Sequence, residues 1–208
     1  MKFKFLKTAA VALLAVSSIT QAAMISVTSE MVGNTFQQDF SITNNSDAGV
    51  NIESLTFDLR PLSAAGVCFD LVSNSCHSST GLDFSATVGA VATGFISSAF
   101  SDEIGGITGG LDFLTIDFSD FNATETFAFK VDVDQSADPA VLGDDLIGSI
   151  MTFNMSDGNS YFSTFVAGSQ PNSAVLSAAS VVNASSSSAF SILMLGMGFL
   201  VARRFVKQ

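Results

Sequence analysis

The stretch LTIDFSDFNATETFAFKVDVD, residues 114–134, decides the fold class. Leu114, Ile116 and Phe118 recur at every second position, and so do Phe127, Phe129, Val131 and Val133. A period of two places such side chains on one face of an extended chain, the mark of a strand with one buried side. Between the two runs the chain turns at 119–124, with Asn122-Ala123-Thr124-Glu125 as the tip. The spacing predicts a hairpin. Its Phe-rich arm, 126–133, would invite self-association if it lay at a sheet edge, and the acidic surface would oppose this.

Working outward, the same period returns and helical periodicity does not. Toward the N-terminus, Ile25 and Val27 begin a short strand, and Phe36, Gln38, Phe40 and Ile42 share a face of a longer one. The turn cluster 44–49 follows, then a strand over 52–59 with Leu55, Phe57 and Leu59 on one side. These two strands are expected to form a second hairpin. Residues 61–81 read as an irregular excursion with one short strand at 67–72. Weaker strands are expected at 83–88 and 94–100, and a glycine-rich loop at 102–110. Toward the C-terminus, a loop at 135–145 leads to strands 146–155 and 160–167 around the Asp157-Gly158 turn. Residues 174–182 are either a last strand or the start of a linker. Short strands at this spacing, with no convincing helix, predict an all-β chain: a single antiparallel β-sandwich or jelly-roll-like domain over residues 23–181.

Both ends carry a different signature. Residues 1–22 have Lys2, Lys4 and Lys7, an apolar run at 9–16 and the small-x-small site Thr20-Gln21-Ala22. That is the layout of a secretory signal peptide. Residues 182–208 open with Val182-Asn183-Ala184 and a serine run. They continue as an apolar segment, 189–202, and end in a basic segment, 203–208, with Arg203 and Arg204. As a helix the 14 apolar residues would reach about 21 Å, short of the roughly 30 Å hydrocarbon core. The basic end is expected to stay cytoplasmic.

This tripartite tail resembles the PEP-CTERM sorting signals of Gram-negative bacteria. The resemblance implies an exosortase-like protease at the inner membrane as a partner, acting on the tail during export. Members of that family usually carry a proline near the start of the motif, where this chain has Ser185 and no proline after Pro171. A plain C-terminal membrane anchor is the alternative reading. Residues 114–134 are also similar to a hairpin of bacterial secreted β-sandwich domains, in which a Pro-Gly-Glu turn precedes a Phe-rich strand ending in Asp-x-Asp. Here Ala123-Thr124 stands where Pro-Gly would be.

Charge separates the ends from the middle. All 19 acidic residues lie between the terminal segments, with Arg60 and Lys130 as the only basic residues there, a net charge of −17. Nucleic acid is excluded as a natural partner, because phosphate binding needs a basic footprint. Self-repulsion of this size calls for bound divalent cations or a saline medium. Trp is absent, Tyr161 is the only tyrosine, and Phe is abundant at 20, which argues against an aromatic sugar platform. Cys68 and Cys76 are the only cysteines, and in an exported chain the pair predicts a disulfide. A metal site built from them and His77 is the alternative, and it lacks a fourth ligand nearby.

No set of catalytic residues emerges. His77 is the only histidine, and no serine sits in a nucleophile elbow. Calcium chemistry is better supported, since Ca²⁺ takes six to eight hard oxygens. Asp132 and Asp134 are two apart and therefore share one side of a strand, with Val131 and Val133 on the other. The following loop offers Asp138, Asp144 and Asp145. The expected calcium ligands are Asp132, Asp134, Asp144 and Asp145, with a second site near Asp102, Glu103 or Asp117. The alternative makes Asp132 and Asp134 the solvent face of an edge strand. Together these features predict a non-catalytic, structural or adhesive protein of the bacterial surface or extracellular matrix, associated with biofilm or exopolysaccharide. The competing readings are a calcium-dependent polysaccharide-binding module and a secreted hydrolase using paired carboxylates. Oligomeric state is left open.

Overall fold

Phe40, Phe57, Phe127 and Phe129 are all fully buried and pack together in the interior. The alternating runs that carry them make two facing sheets. The computed structural model describes residues 23–72, 76, 81–102, 111–135 and 140–182. The expected signal peptide 1–22, residues 183–208 of the expected sorting tail, Glu103, Asp138 and His77 lie outside the described residues. Residues Met24–Val181 form one compact unit.

Thirteen strands occur among the described residues. One sheet contains β1 (Ala23–Val32), β2 (Phe40–Asn44), β5 (Ser85–Val88), β8 (Thr126–Lys130), β12 (Val166–Ala167) and β13 (Ser173–Val182), in the order β12-β13-β1-β2-β8-β5. The other contains β3 (Ile52–Asp58), β6 (Phe95–Ser101), β7 (Phe113–Phe121), β10 (Ile150–Met155) and β11 (Ser160–Thr164), in the order β11-β10-β3-β7-β6. A small third ladder joins β4 (Cys68–Phe69) to β9 (Val133–Asp134). The pairs β1–β2, β2–β8, β5–β8 and β12–β13 of the first sheet, β3–β7, β3–β10, β6–β7 and β10–β11 of the second, and β4–β9 are all antiparallel. The chain is thus an all-β sandwich. Its seam is aromatic: Phe40 of one sheet meets Phe57 of the other at 5.4 Å between ring centroids, and Phe127 meets Phe118 at 4.9 Å.

Two expected hairpins are corrected. β7 pairs with β3 and β6, while β8 pairs with β2 and β5, so the two arms of residues 114–134 lie in opposite sheets. The reason lies at Asn44, which is fully buried. Its carbonyl accepts the Thr124 N–H at 2.6 Å, its own N–H donates to the Glu125 carbonyl at 3.0 Å, and its Nδ2 donates to the Phe121 carbonyl at 3.1 Å. These bonds tie the end of β2 to residues 121–125, while the turn keeps its own Glu125 N–H to Asn122 carbonyl bond at 3.3 Å. The strands around 44–49 separate in the same way: β2 belongs to the first sheet and β3 to the second. Alternation shows that a strand has a buried face. It does not say which sheet that face belongs to.

Smaller corrections follow from local chemistry. Phe36 is 44% exposed and lies in a turn, not in a strand with Phe40. Asn34 causes this: its Oδ1 accepts the Phe36 N–H at 2.8 Å and its carbonyl accepts the Gln38 N–H at 3.0 Å, closing an Asx-type turn. The Phe-rich run of β8 is not an edge, because β2 and β5 flank it. The β10–β11 hairpin forms around Asp157-Gly158 with shorter arms than expected, since Leu146 ends a 3₁₀ turn and Val166–Ala167 pairs with β13 in the other sheet; 173–182 is a strand.

Candidate metal centre

The third ladder builds the site. In its register Cys68 stands opposite Asp134 and Phe69 opposite Val133. One step further, the Asp70 N–H donates to the Asp132 carbonyl at 2.9 Å. Positions two apart share a side of extended chain. The ladder therefore gathers Asp70, Asp132 and Asp134, and one carboxylate oxygen from each lies within 4.8 Å of the others.

These are interior groups. Asp70 and Asp134 are fully buried, and Asp132 is 3% exposed. Val131 and Val133 on the alternate positions are buried as well, so Asp132 and Asp134 do not form the solvent face of an edge strand. Polar neighbours hold the backbone here. Thr35 Oγ1 donates to the Val133 carbonyl at 3.1 Å, the Leu82 N–H donates to the Asp70 carbonyl at 3.0 Å, and the Asp132 N–H donates to the Leu82 carbonyl at 3.3 Å. Gly81 completes the packing, since a Cβ there would come within 2.6 Å of the Asp70 carbonyl oxygen.

The electrostatics follow from burial. Desolvation, then the charges of Asp134 and Asp70, push the Asp132 carboxyl up to about 7, against the partial opposition of the Val133 amide and the Thr35 hydroxyl. Neighbouring carboxylates in a medium of low polarity resist joint ionisation. A proton or a cation relieves that repulsion. The spacing suits calcium: two oxygens on one Ca²⁺ at 2.3–2.6 Å can stand up to about 5 Å apart. Three aspartates supply up to six of the hard oxygens such an ion takes.

Cys68 and Cys76 form the expected disulfide. It encloses Asp70, whose Oδ1 accepts the Cys76 N–H at 2.6 Å. Asp70 was not among the expected ligands. Its place inside the cysteine loop was visible, but the pairing of that loop with β9 was not.

The remaining expected ligands fall elsewhere. Asp144 and Asp145 are exposed on a short 3₁₀ turn, Gly143–Leu146, where Asp145 Oδ2 accepts the Leu142 N–H at 2.9 Å. Asp117 accepts a hydrogen bond from Ser97 Oγ at 2.9 Å, and Asp102 is exposed beyond the end of β6. Among the described residues, the aspartate triad is the one group of three or more ligating side chains close enough to share an ion. No protein-family model, curated protein or solved structure matches the chain. Among the described residues, no helix is long and apolar enough to cross a membrane.

Proposed function

We propose that the chain is an exported, non-catalytic structural or adhesive protein of the bacterial surface or extracellular matrix. Its β-sandwich is braced by calcium held by Asp70, Asp132 and Asp134. The observation that carries this reading is the burial of three carboxylates within 4.8 Å of one another. Such a cluster weakens a fold when left uncompensated and strengthens it when a divalent cation bridges it. Burial also favours bracing over catalysis, because a hydrolytic carboxylate pair must reach a substrate from a cleft. The −17 middle region suits a cation-rich exterior.

The termini supply the address. Residues 1–22 direct export, and residues 182–208, with Val182-Asn183-Ala184 and Arg203-Arg204, present a PEP-CTERM-like signal to an exosortase-like protease. The mass of the mature C-terminus separates removal of the tail from a lasting membrane tether. Calcium is tested by melting the full chain. Millimolar Ca²⁺ should raise the melting temperature and EDTA lower it, with Asp134→Asn abolishing the response. A wild-type protein whose melting ignores millimolar Ca²⁺ would end the metal reading.

A further inference from the structure

The outer face of the six-stranded sheet carries a groove. Across it Thr28 of β1 stands opposite Thr43 of β2, and Glu30 stands opposite Ser41. Val175 of β13 and Val166 of β12, themselves directly paired, form its apolar side. The groove is shallow and open to solvent, with a volume of about 390 Å³.

The lining states what would fit. Thr28 Oγ1 accepts a hydrogen bond from Asn45 Nδ2 at 3.0 Å, which leaves its own proton to donate to a ligand. Thr43 and Thr126 share a hydrogen bond between hydroxyls at 2.9 Å, so one of the two hydroxyls keeps its proton to donate. Glu30 is exposed. Among the described residues the ion pairs are Arg60–Asp58 and Lys130–Asp39, and neither involves it. No basic side chain lines the groove. Phosphate and uronate groups would therefore meet a carboxylate with nothing to neutralise them, on a domain of charge −17. A ligand rich in hydroxyls, carrying a positive charge and offering an apolar C–H face, meets all three parts of the lining.

We propose that this groove binds a glycan with free amino groups, a glucosamine-type polymer. Ring hydroxyls exchange hydrogen bonds with Thr28, Ser41 and Thr43. An ammonium pairs with Glu30, and Val166 and Val175 cover the apolar face of the sugar ring. Hydroxyl rows on neighbouring strands repeat at about 4.8 Å, and a regular array of this kind suits a repeating polymer better than an irregular peptide. Without an aromatic platform each contact is weak, so tight attachment comes from many copies on one polymer chain. The inference rests on the surface or matrix reading for its partner, and it does not require calcium.

The test is calorimetric titration of the full chain in saturating calcium. The probes are a glucosamine tetramer, its N-acetylated form, a uronate tetramer and a lysine tetrapeptide. The glucosamine tetramer should bind best and weaken with salt. Glu30→Gln should weaken it about tenfold, the scale of one charge-assisted hydrogen bond. Glu53→Gln, an exposed carboxylate on the other sheet, should leave it unchanged. Unchanged melting temperatures of both variants check that they are folded. The proposal is overturned if the glucosamine tetramer does not bind, or if Glu53→Gln costs as much as Glu30→Gln. It is also overturned if the uronate or the lysine peptide binds as tightly. Loss of glycan binding with an intact calcium response would end this inference and leave the calcium reading standing.

Discussion

The backbone N–H of Cys76 donates to Asp70 Oδ1 at 2.6 Å, so the disulfide loop itself aims one of the three buried carboxylates. The other half of the cystine, Cys68, stands opposite Asp134 across the small ladder. Reduction therefore acts on the carboxylate cluster from both sides. Groups that hold a ligating carboxylate in place by a hydrogen bond typically change metal affinity 10- to 100-fold when lost. Calcium titration of the oxidised protein, the reduced protein and the Cys68→Ser/Cys76→Ser double variant should show affinity at least about tenfold weaker in the last two. Equal midpoints would mean that the disulfide only staples the loop.

The cluster also sets a pH dependence, best seen in EDTA. An aspartate in the unfolded chain titrates near 3.9, whereas Asp132 in the fold is pushed up to about 7. Between those values the folded state holds more protons than the unfolded state, so stability falls as pH rises. The destabilisation is absent below about pH 4 and complete above about pH 7. Saturating calcium should flatten the slope by taking the proton's place, and Asp132→Asn should remove its contribution. Denaturation at a series of pH values, with EDTA and with Ca²⁺, reads both. A metal-free stability that rises from pH 4 to 7 and is unaffected by Asp132→Asn would contradict the assignment.

Strand existence was legible in the sequence, and strand partnership was not. Phe127 and Phe129 advertise a buried face by their spacing, and both are fully buried. That β8 lies between β2 and β5 rests on long-range pairing, and Asn44, which ties the end of β2 to residues 121–125, reads from sequence as ordinary turn chemistry. The site divides along the same line. Asp132 and Asp134 could be picked out because a two-residue spacing is a local signal. Asp70 could not, because it arrives through a pairing of segments more than sixty residues apart in sequence. Asp144 and Asp145 were near in sequence and chemically suitable, but the 3₁₀ turn turns them to solvent.

Gly89 joins β5 to the turn before β6 with φ at +74°, a conformation that costs residues with a Cβ about 1–2 kcal/mol. Space is the second constraint, since a Cβ at this position would run into the Thr126 carbonyl oxygen. The chain must therefore shift against β8, which carries two core phenylalanines. Gly89→Ala should lower stability by about 2–4 kcal/mol in urea denaturation, well beyond a surface substitution. A loss below about 0.5 kcal/mol would show that the turn relaxes freely.

Thr124 predicts the opposite sign. Its φ is +72°, an unfavourable conformation for a β-branched residue. The strain is held in place from outside the turn, because the Thr124 N–H is anchored to the buried Asn44 carbonyl at 2.6 Å. Its side chain is exposed, so replacing it removes no core packing. Relief of about 1–2 kcal/mol of backbone strain exceeds the roughly 0.5–1 kcal/mol that glycine adds to the entropy of the unfolded chain. Thr124→Gly should therefore stabilise the protein by about 0.5–1 kcal/mol, seen as a higher urea midpoint with an unchanged slope. Thr124→Ala keeps the Cβ and should recover only the part due to branching. If glycine and alanine shift the midpoint equally, branching alone is responsible, and the left-handed backbone carries no strain.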